Sequence, residues 1–261
     1  MRPVLVLLLL FAPMFIFANT FTVISNADAG AGTLREAVSL AGANGVNVYD
    51  TILFNLPDQT VGGRTIFLNS SLELSSKLII DGSSQTGIKF GVSDAKIKLS
   101  CKDSIDFTFI KFANSNNVHI FGLYISGKNI SSYMSFDRQV TGVDFKNSDS
   151  IYLGAPGKGN YLNGVRYGFF SDYDSSRYVV IRSNVLGLND AGDVDSYLDR
   201  RKYNGASIHF QNVRDIVIGG PSVADRNYIT GSEAFSISST KQYNNGYLIL
   251  QSFRLKAKRA K

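Results

Sequence analysis

The 261-residue chain concentrates its reactive side chains in one acidic stretch, two isolated histidines and a run of tyrosines. Asp190, Asp193, Asp195 and Asp199 fall close together, with Arg200 and Arg201 adjacent. Clustered carboxylates can hold a hard cation through oxygen, so although no cofactor is expected calcium is the one candidate, and a nearby Arg could act as the base of an elimination. The spacing is not that of a twelve-residue calcium loop, because no Gly and terminal Glu follow at the required places. A solvated acidic loop competes with the metal site. His119 and His209 each sit inside an alternating segment, flanked by Val118 and Ile120 or by Ile208 and Phe210. Alternation puts both on an outer strand face, and no Gly-x-Ser-x-Gly elbow accompanies either. They read as surface histidines. Tyr152, Tyr161, Tyr167, Tyr173 and Tyr178 form the second candidate set. A tyrosine ring can stack on a sugar and its hydroxyl can bond to sugar hydroxyls. The competing explanation is that outward tyrosines simply suit β geometry.

These groups must be positioned by short strands. DTILF, RTIFL, KLIIDG, KIKLS, SIYLG, ASIHF and DIVIGG are alternating and rich in β-branched residues, and Asn, Asp, Gly and Ser separate them. One pattern occurs twice: 147–164 and 212–231 share Asn, Ile, Gly, Pro, Asn-Tyr and Gly in order, with Asn147 and Asn212 offset by 65 positions (212 − 147). Shorter intervals recur as well, 28 residues from Ile151 to Val179 and 26 from Gly142 to Gly168. Repeats built from short apolar segments imply a stacked architecture in which each unit buries its apolar face against its neighbours. Asn147 and Asn212 are expected to stack at equivalent corners.

One helix is expected. Thr33 and Glu36 form a capping box, each satisfying the other's backbone N–H, and Leu34, Ala37, Val38 and Ala41 make one apolar stripe. Gly42 and Gly45 should stop it. Such a helix would close the exposed first edge of a stack. Residues 128–139 and 189–204 are polar without apolar period and read as protruding loops, of the kind that gather on a binding face.

The ends differ from the body. Arg2, an apolar run from Val4 to Phe17 and the small Ala18 read as a secretory signal peptide over 1–18. The run is too short for the roughly 20 residues of a membrane span. Residues 19–250 form the stacked body, with the first strand and helix in 19–49. Residues 251–261 form a basic tail that breaks the register, as a truncated or out-of-frame end would. Arg254, Lys256, Lys258, Arg259 and Lys261 lie in that tail and account for much of the formal charge of +6. The body behind them is close to neutral, so nucleic acid is not an expected partner. Cys101 is the only cysteine, which excludes a disulfide framework and a thiolate zinc site. It reads as an ordinary strand residue.

With these features together, the chain resembles bacterial extracellular right-handed parallel β-helix proteins of the pectin-lyase-like kind. The nearest resemblance is to those with a "SLREA"-type N-terminal helix, which stands here as Gly32-Thr33-Leu34-Arg35-Glu36-Ala37. The later units carrying the resemblance are Asn212…Ile216-Val217-Ile218-Gly219-Gly220…Asn227-Tyr228-Ile229-Thr230-Gly231 and Ser183-Asn184-Val185-Leu186-Gly187-Leu188-Asn189. The resemblance implies an all-β, single-stranded solenoid, secreted or at a cell surface, that meets polysaccharide or a cell-surface ligand. Polygalacturonase-like signatures are absent from the sequence. The expectation is a non-catalytic scaffold for carbohydrate binding or adhesion. The alternatives are a polysaccharide lyase or glycoside hydrolase, and a truncated piece of a larger surface protein.

Overall fold

A computed structural model of the chain describes residues 17–101, 106–127, 139–172, 175–188, 191–192, 207–230, 237–240, 248–250 and 254–255. Chain order sets the architecture. β1 (Thr20–Val23) leads through helix α1 (Leu34–Ala43) to β2 (Asp50–Phe54). Then come β3 (Thr65–Leu68), β4 (Leu72–Glu73) and β5 (Leu78–Asp81), followed by β6 (Ile97–Cys101), β7 (Asp106–Ala113) and β8 (Asn116–Phe121). The same succession continues with β9 (Leu123–Ser126), β10 (Gln139–Lys146) and β11 (Asp149–Leu153), and with β12 (Tyr161–Asn163), β13 (Tyr167–Ser171) and β14 (Arg177–Ile181). It closes with β15 (Val185–Leu186), β16 (Ile208–Gln211) and β17 (Arg214–Ile218), then β18 (Tyr228–Ile229), β19 (Ile237–Thr240), β20 (Leu248–Leu250) and β21 (Arg254–Leu255).

These strands make three sheets, every pairing is parallel, and α1 is the single α-helix among the described residues. The first sheet runs β1-β2-β5-β8-β11-β14-β17-β20, the second β3-β6-β9-β12-β15-β18-β21 and the third β4-β7-β10-β13-β16-β19. From β3 onward successive strands visit the second, third and first sheets in unbroken rotation, so each strand pairs with the strand one cycle later; β21, inside the tail expected to break the register, keeps it by pairing Arg254 and Leu255 with Tyr228 and Ile229. The expected intervals are registers of this kind. Ile151 lies beside Val179, and the Thr141–Tyr167 pairing puts Gly142 beside Gly168. The 65-residue repeat spans two cycles, because β14 lies between β11 and β17.

Parallel register stacks like on like. Ile52, Ile80, Ile120, Leu153, Ile181 and Ile218 are neighbours in successive strands and all are buried. Each such side chain contributes about 2 kcal/mol by leaving water. Gly142 makes room in this core: a Cβ there would lie 2.5 Å from the Gly168 carbonyl oxygen and 2.7 Å from Leu162 Cδ2. Buried asparagines pin one corner. Asn160, Asn184 and Asn227, one per cycle, pass amide hydrogens along a ladder: Asn160 Nδ2 donates to Asn184 Oδ1, and Asn184 Nδ2 to Asn227 Oδ1, each at 3.0 Å. Ser115, Ser148 and Ser176 make a second ladder, in which a backbone N–H of one cycle donates to the serine hydroxyl of the next at 3.1 Å.

Asn147 and Asn212 do not stack on each other, since a whole cycle separates them. Asn147 Nδ2 instead donates to Asn114 Oδ1 at 2.6 Å, one cycle earlier. Asn114, Asn147 and Asn212 have φ of 52°, 44° and 57°, a left-handed corner that Asn tolerates better than most residues. Their type is set by backbone shape as much as by amide pairing.

α1 buries Leu34, Ala37, Val38 and Ala41, the stripe expected, and packs on β1, β2 and β4 at the start of all this. Its cap differs from a capping box in one bond. Thr33 Oγ1 accepts the Glu36 N–H at 3.2 Å, but the Glu36 carboxylate accepts from Gly32 N–H at 2.6 Å, one residue before the cap. Gly42 lies inside the helix, and Asn44 with Gly45 (φ 92°) ends it.

Candidate functional site

The third sheet carries a group of polar and aromatic side chains on a partly open face. Here β7, β10, β13 and β16 place Lys111, Asp144, Phe170 and His209 in one register column. All four are half-buried, whereas Val143, Phe169 and Ile208, one position earlier, are buried in the core. Strand alternation explains the split. The His209 ring stacks on Phe170 with centroids 5.2 Å apart and planes 14° from parallel. Tyr167 touches both, 4.7 Å from Phe170 and 5.3 Å from His209. The Arg166 guanidinium lies 5.2 Å from the Tyr167 ring, and Gln211 Nε2 is 3.3 Å from His209 Nε2. Asp172 closes the group. Its Oδ1 is shielded from solvent and makes no hydrogen bond. Burial lowers the proton affinity of His209, and the Asp172 carboxylate partly opposes this. Neutral imidazole, two aromatic faces, a guanidinium and carboxylates on one rigid sheet can stack on an apolar ring face while bonding to hydroxyls around it.

The five tyrosines are not brought together. Tyr167 belongs to this third-sheet group. Tyr152 is on the outer face of the first sheet, where its ring stacks on His119 at 4.3 Å, and Phe121 and Tyr49 meet the imidazole at 5.7 Å and 6.2 Å. Burial lowers the His119 pKa there. Both histidines do lie on outer faces, as alternation requires, but they are packed against rings rather than freely solvated. Tyr178 is exposed at the start of β14, with the Arg177 guanidinium 5.5 Å from its ring.

Tyr161 departs from the surface role expected of it. It is fully buried, its ring stacks on Tyr124 at 4.5 Å, and its hydroxyl donates to the Leu188 carbonyl at 2.7 Å. Phe90, Ala95, Val185 and Leu188 join it in a small second core. The segment between β5 and β6 folds over the second sheet, anchored by Arg64 Nη1 donating to the carbonyls of Ile88 and Lys96 at 2.6 and 2.9 Å. That covering removes Tyr161 from any ligand.

Tyr173 and the acidic cluster Asp190, Asp193, Asp195 and Asp199 lie outside the described residues, as do the polar stretches 128–138 and 193–206. Those two stretches fall in sequence between a second-sheet strand and a third-sheet strand each time, β9 to β10 and β15 to β16. Among the described residues no group of three or more His, Cys, Asp or Glu could hold a metal ion, and no helix is long and apolar enough to cross a membrane. Phe170, Arg166, Asp172 and Gln211 were not evident as site residues from sequence. The only signal for Phe170 and Gln211 is the alternation of YGFFS and SIHFQ, which becomes a shared face once β13 and β16 are set in register, and Arg166 and Asp172 flank the first of these segments. No protein-family model and no curated protein sequence matches the chain.

Proposed function

We propose that the chain is a secreted right-handed parallel β-helix, pectin-lyase-like in form and capped by its SLREA-type helix, that serves as a non-catalytic scaffold binding carbohydrate. The unbroken rotation of strands through three parallel sheets supports the solenoid. The observation that carries the binding role is the third-sheet group. Tyr167 and Phe170 offer ring faces beside His209, Arg166 and Asp172. A parallel sheet holds such groups rigidly, so little order is lost when a sugar stacks on them. The ligand class is a polysaccharide or cell-surface glycan, contacted through apolar ring faces and hydroxyls rather than through a metal.

The test is binding to a glycan array followed by titration of the best binder. Tyr167→Ala and Phe170→Ala should each weaken binding about tenfold, the scale of 1.4 kcal/mol per tenfold and of one aromatic contact. Far-UV circular dichroism should stay that of the parent. Parent-like affinity in both variants would remove the third sheet as the site. Turnover of any bound glycan would overturn the non-catalytic reading.

A further inference from the structure

Asp50, at the start of β2, is only 2% exposed, and uncharged groups hold its carboxylate. The Asn19 backbone N–H donates to Oδ1 at 2.8 Å. The Asn44 side-chain amide donates to Oδ1 at 2.9 Å and lies 3.1 Å from Oδ2. No Lys, Arg or His among the described residues reaches Asp50 as an ion pair; the pairs formed are Arg35–Asp28, Lys89–Asp94, Lys158–Asp81, Arg177–Asp149 and Arg182–Asp225. A carboxylate taken out of water is ordinarily matched by a cation. Here the carboxylate receives a backbone N–H and a side-chain amide.

The donor at that site is the nitrogen of residue 19. Arg2, the apolar run to Phe17 and small Ala18 precede it, the pattern of a leader cut after Ala18. Ala18 and Asn19 are exposed, so the ends created by a cut between them need not enter the core. Asn19 is also held in place, because its carbonyl accepts the Thr51 N–H at 2.9 Å. We propose that Ala18–Asn19 is the processing bond, and that the α-amino group created there pairs with buried Asp50 to lock the helix-capped end of the fold. A leader peptidase would add one water across the bond. The Ala18 acyl carbon takes the hydroxyl and leaves as a carboxylate. The Asn19 nitrogen keeps the bonding electrons and takes up protons to become an ammonium. Its separation from Asp50 Oδ1 already matches a charge-assisted N–H···O contact, about 2.7–2.9 Å. Processing would change the charge of that atom, and it would also remove the Phe17 carbonyl, which accepts from the Asn44 amide at 2.9 Å.

The experiment exports the full chain from its own leader in a secreting bacterial host and weighs the product. A chain beginning at Asn19 is expected; any other start overturns the proposal. The exported chain is then melted with its α-amino group free or selectively acetylated. The acetylated form should melt lower by about 2–8 °C, and the gap should close as pH rises well above the ordinary α-amino value of about 8. A group raised by its partner holds its stabilisation below its unfolded pKa and loses it as pH climbs through the folded one. Equal melting of the free and acetylated chains overturns the ion pair. Asp50→Asn should erase the difference. Because that variant can fail to fold, the acetylation comparison, which leaves Asp50 in place, decides alone.

Discussion

Replacing Asn184 by alanine should be among the most damaging single changes to this chain. Asn184 is fully buried between two other asparagines. Its Oδ1 accepts from the Asn160 backbone N–H and the Asn160 amide, both at 3.0 Å. Its Nδ2 donates to the Leu153 carbonyl at 2.8 Å and to Asn227 Oδ1 at 3.0 Å. Alanine deletes all four bonds and leaves the Asn160 backbone N–H without its acceptor in the buried corner. At about 1 kcal/mol net per bond the loss is about 4 kcal/mol, a large share of a typical domain's stability. For a chain of this size that corresponds to a fall in Tm of about 8–16 °C. Urea unfolding followed by far-UV circular dichroism measures it, provided the slope with denaturant is unchanged. Asn147→Gly is the control. Asn147 is exposed, its Nδ2 bonds only to Asn114, and glycine accepts its φ of 44° without strain. That change should cost about 1 kcal/mol or less. If Asn184→Ala costs no more than Asn147→Gly, the buried ladder does not hold the cycles together and the reasoning fails.

Ser171 is fully buried and its hydroxyl makes no hydrogen bond, while Phe145 and Phe210 on the flanking strands meet beside it at 5.4 Å. Ser171→Ala removes an uncompensated polar atom and should raise stability by about 1 kcal/mol, seen as a higher urea midpoint; a lower midpoint would mean the hydroxyl is satisfied. Burial lowers His119 and His209 below the ordinary imidazole value of 6.5. The unfolded chain therefore binds protons first as pH falls through that value, so stability should decline from there until the folded-state histidines titrate. His119→Phe keeps a ring against Tyr152 and should flatten that decline as pH falls below the ordinary imidazole value, measured by urea midpoints. An unchanged slope would show that His119 is not the source.

Much of the architecture was legible because its signals are local. Leu34, Ala37, Val38 and Ala41 declare a helical face within two turns, and alternation in DTILF or SIYLG declares which side chains face in. Even the step from Ile151 to Val179 could be read, since a parallel stack repeats its apolar residues once per cycle. The bonding at the helix cap was less legible: Glu36 reaches Gly32 rather than Thr33 because the approach of the chain from Gly30 and Gly32, both at positive φ, sets which N–H faces the carboxylate. The candidate binding face was hardly legible at all. Tyr161 has the same residue type and the same alternating setting as Tyr167. One is sealed under Phe90 and Leu188, and the other stands beside Phe170 and His209. Periodicity along a strand fixes a side chain's direction over a few residues, and the sequence carries that by itself. Which side chains then meet across strands, and which are covered, depends on how far each connector runs before the next strand takes its register. Only the assembled sheets decide that.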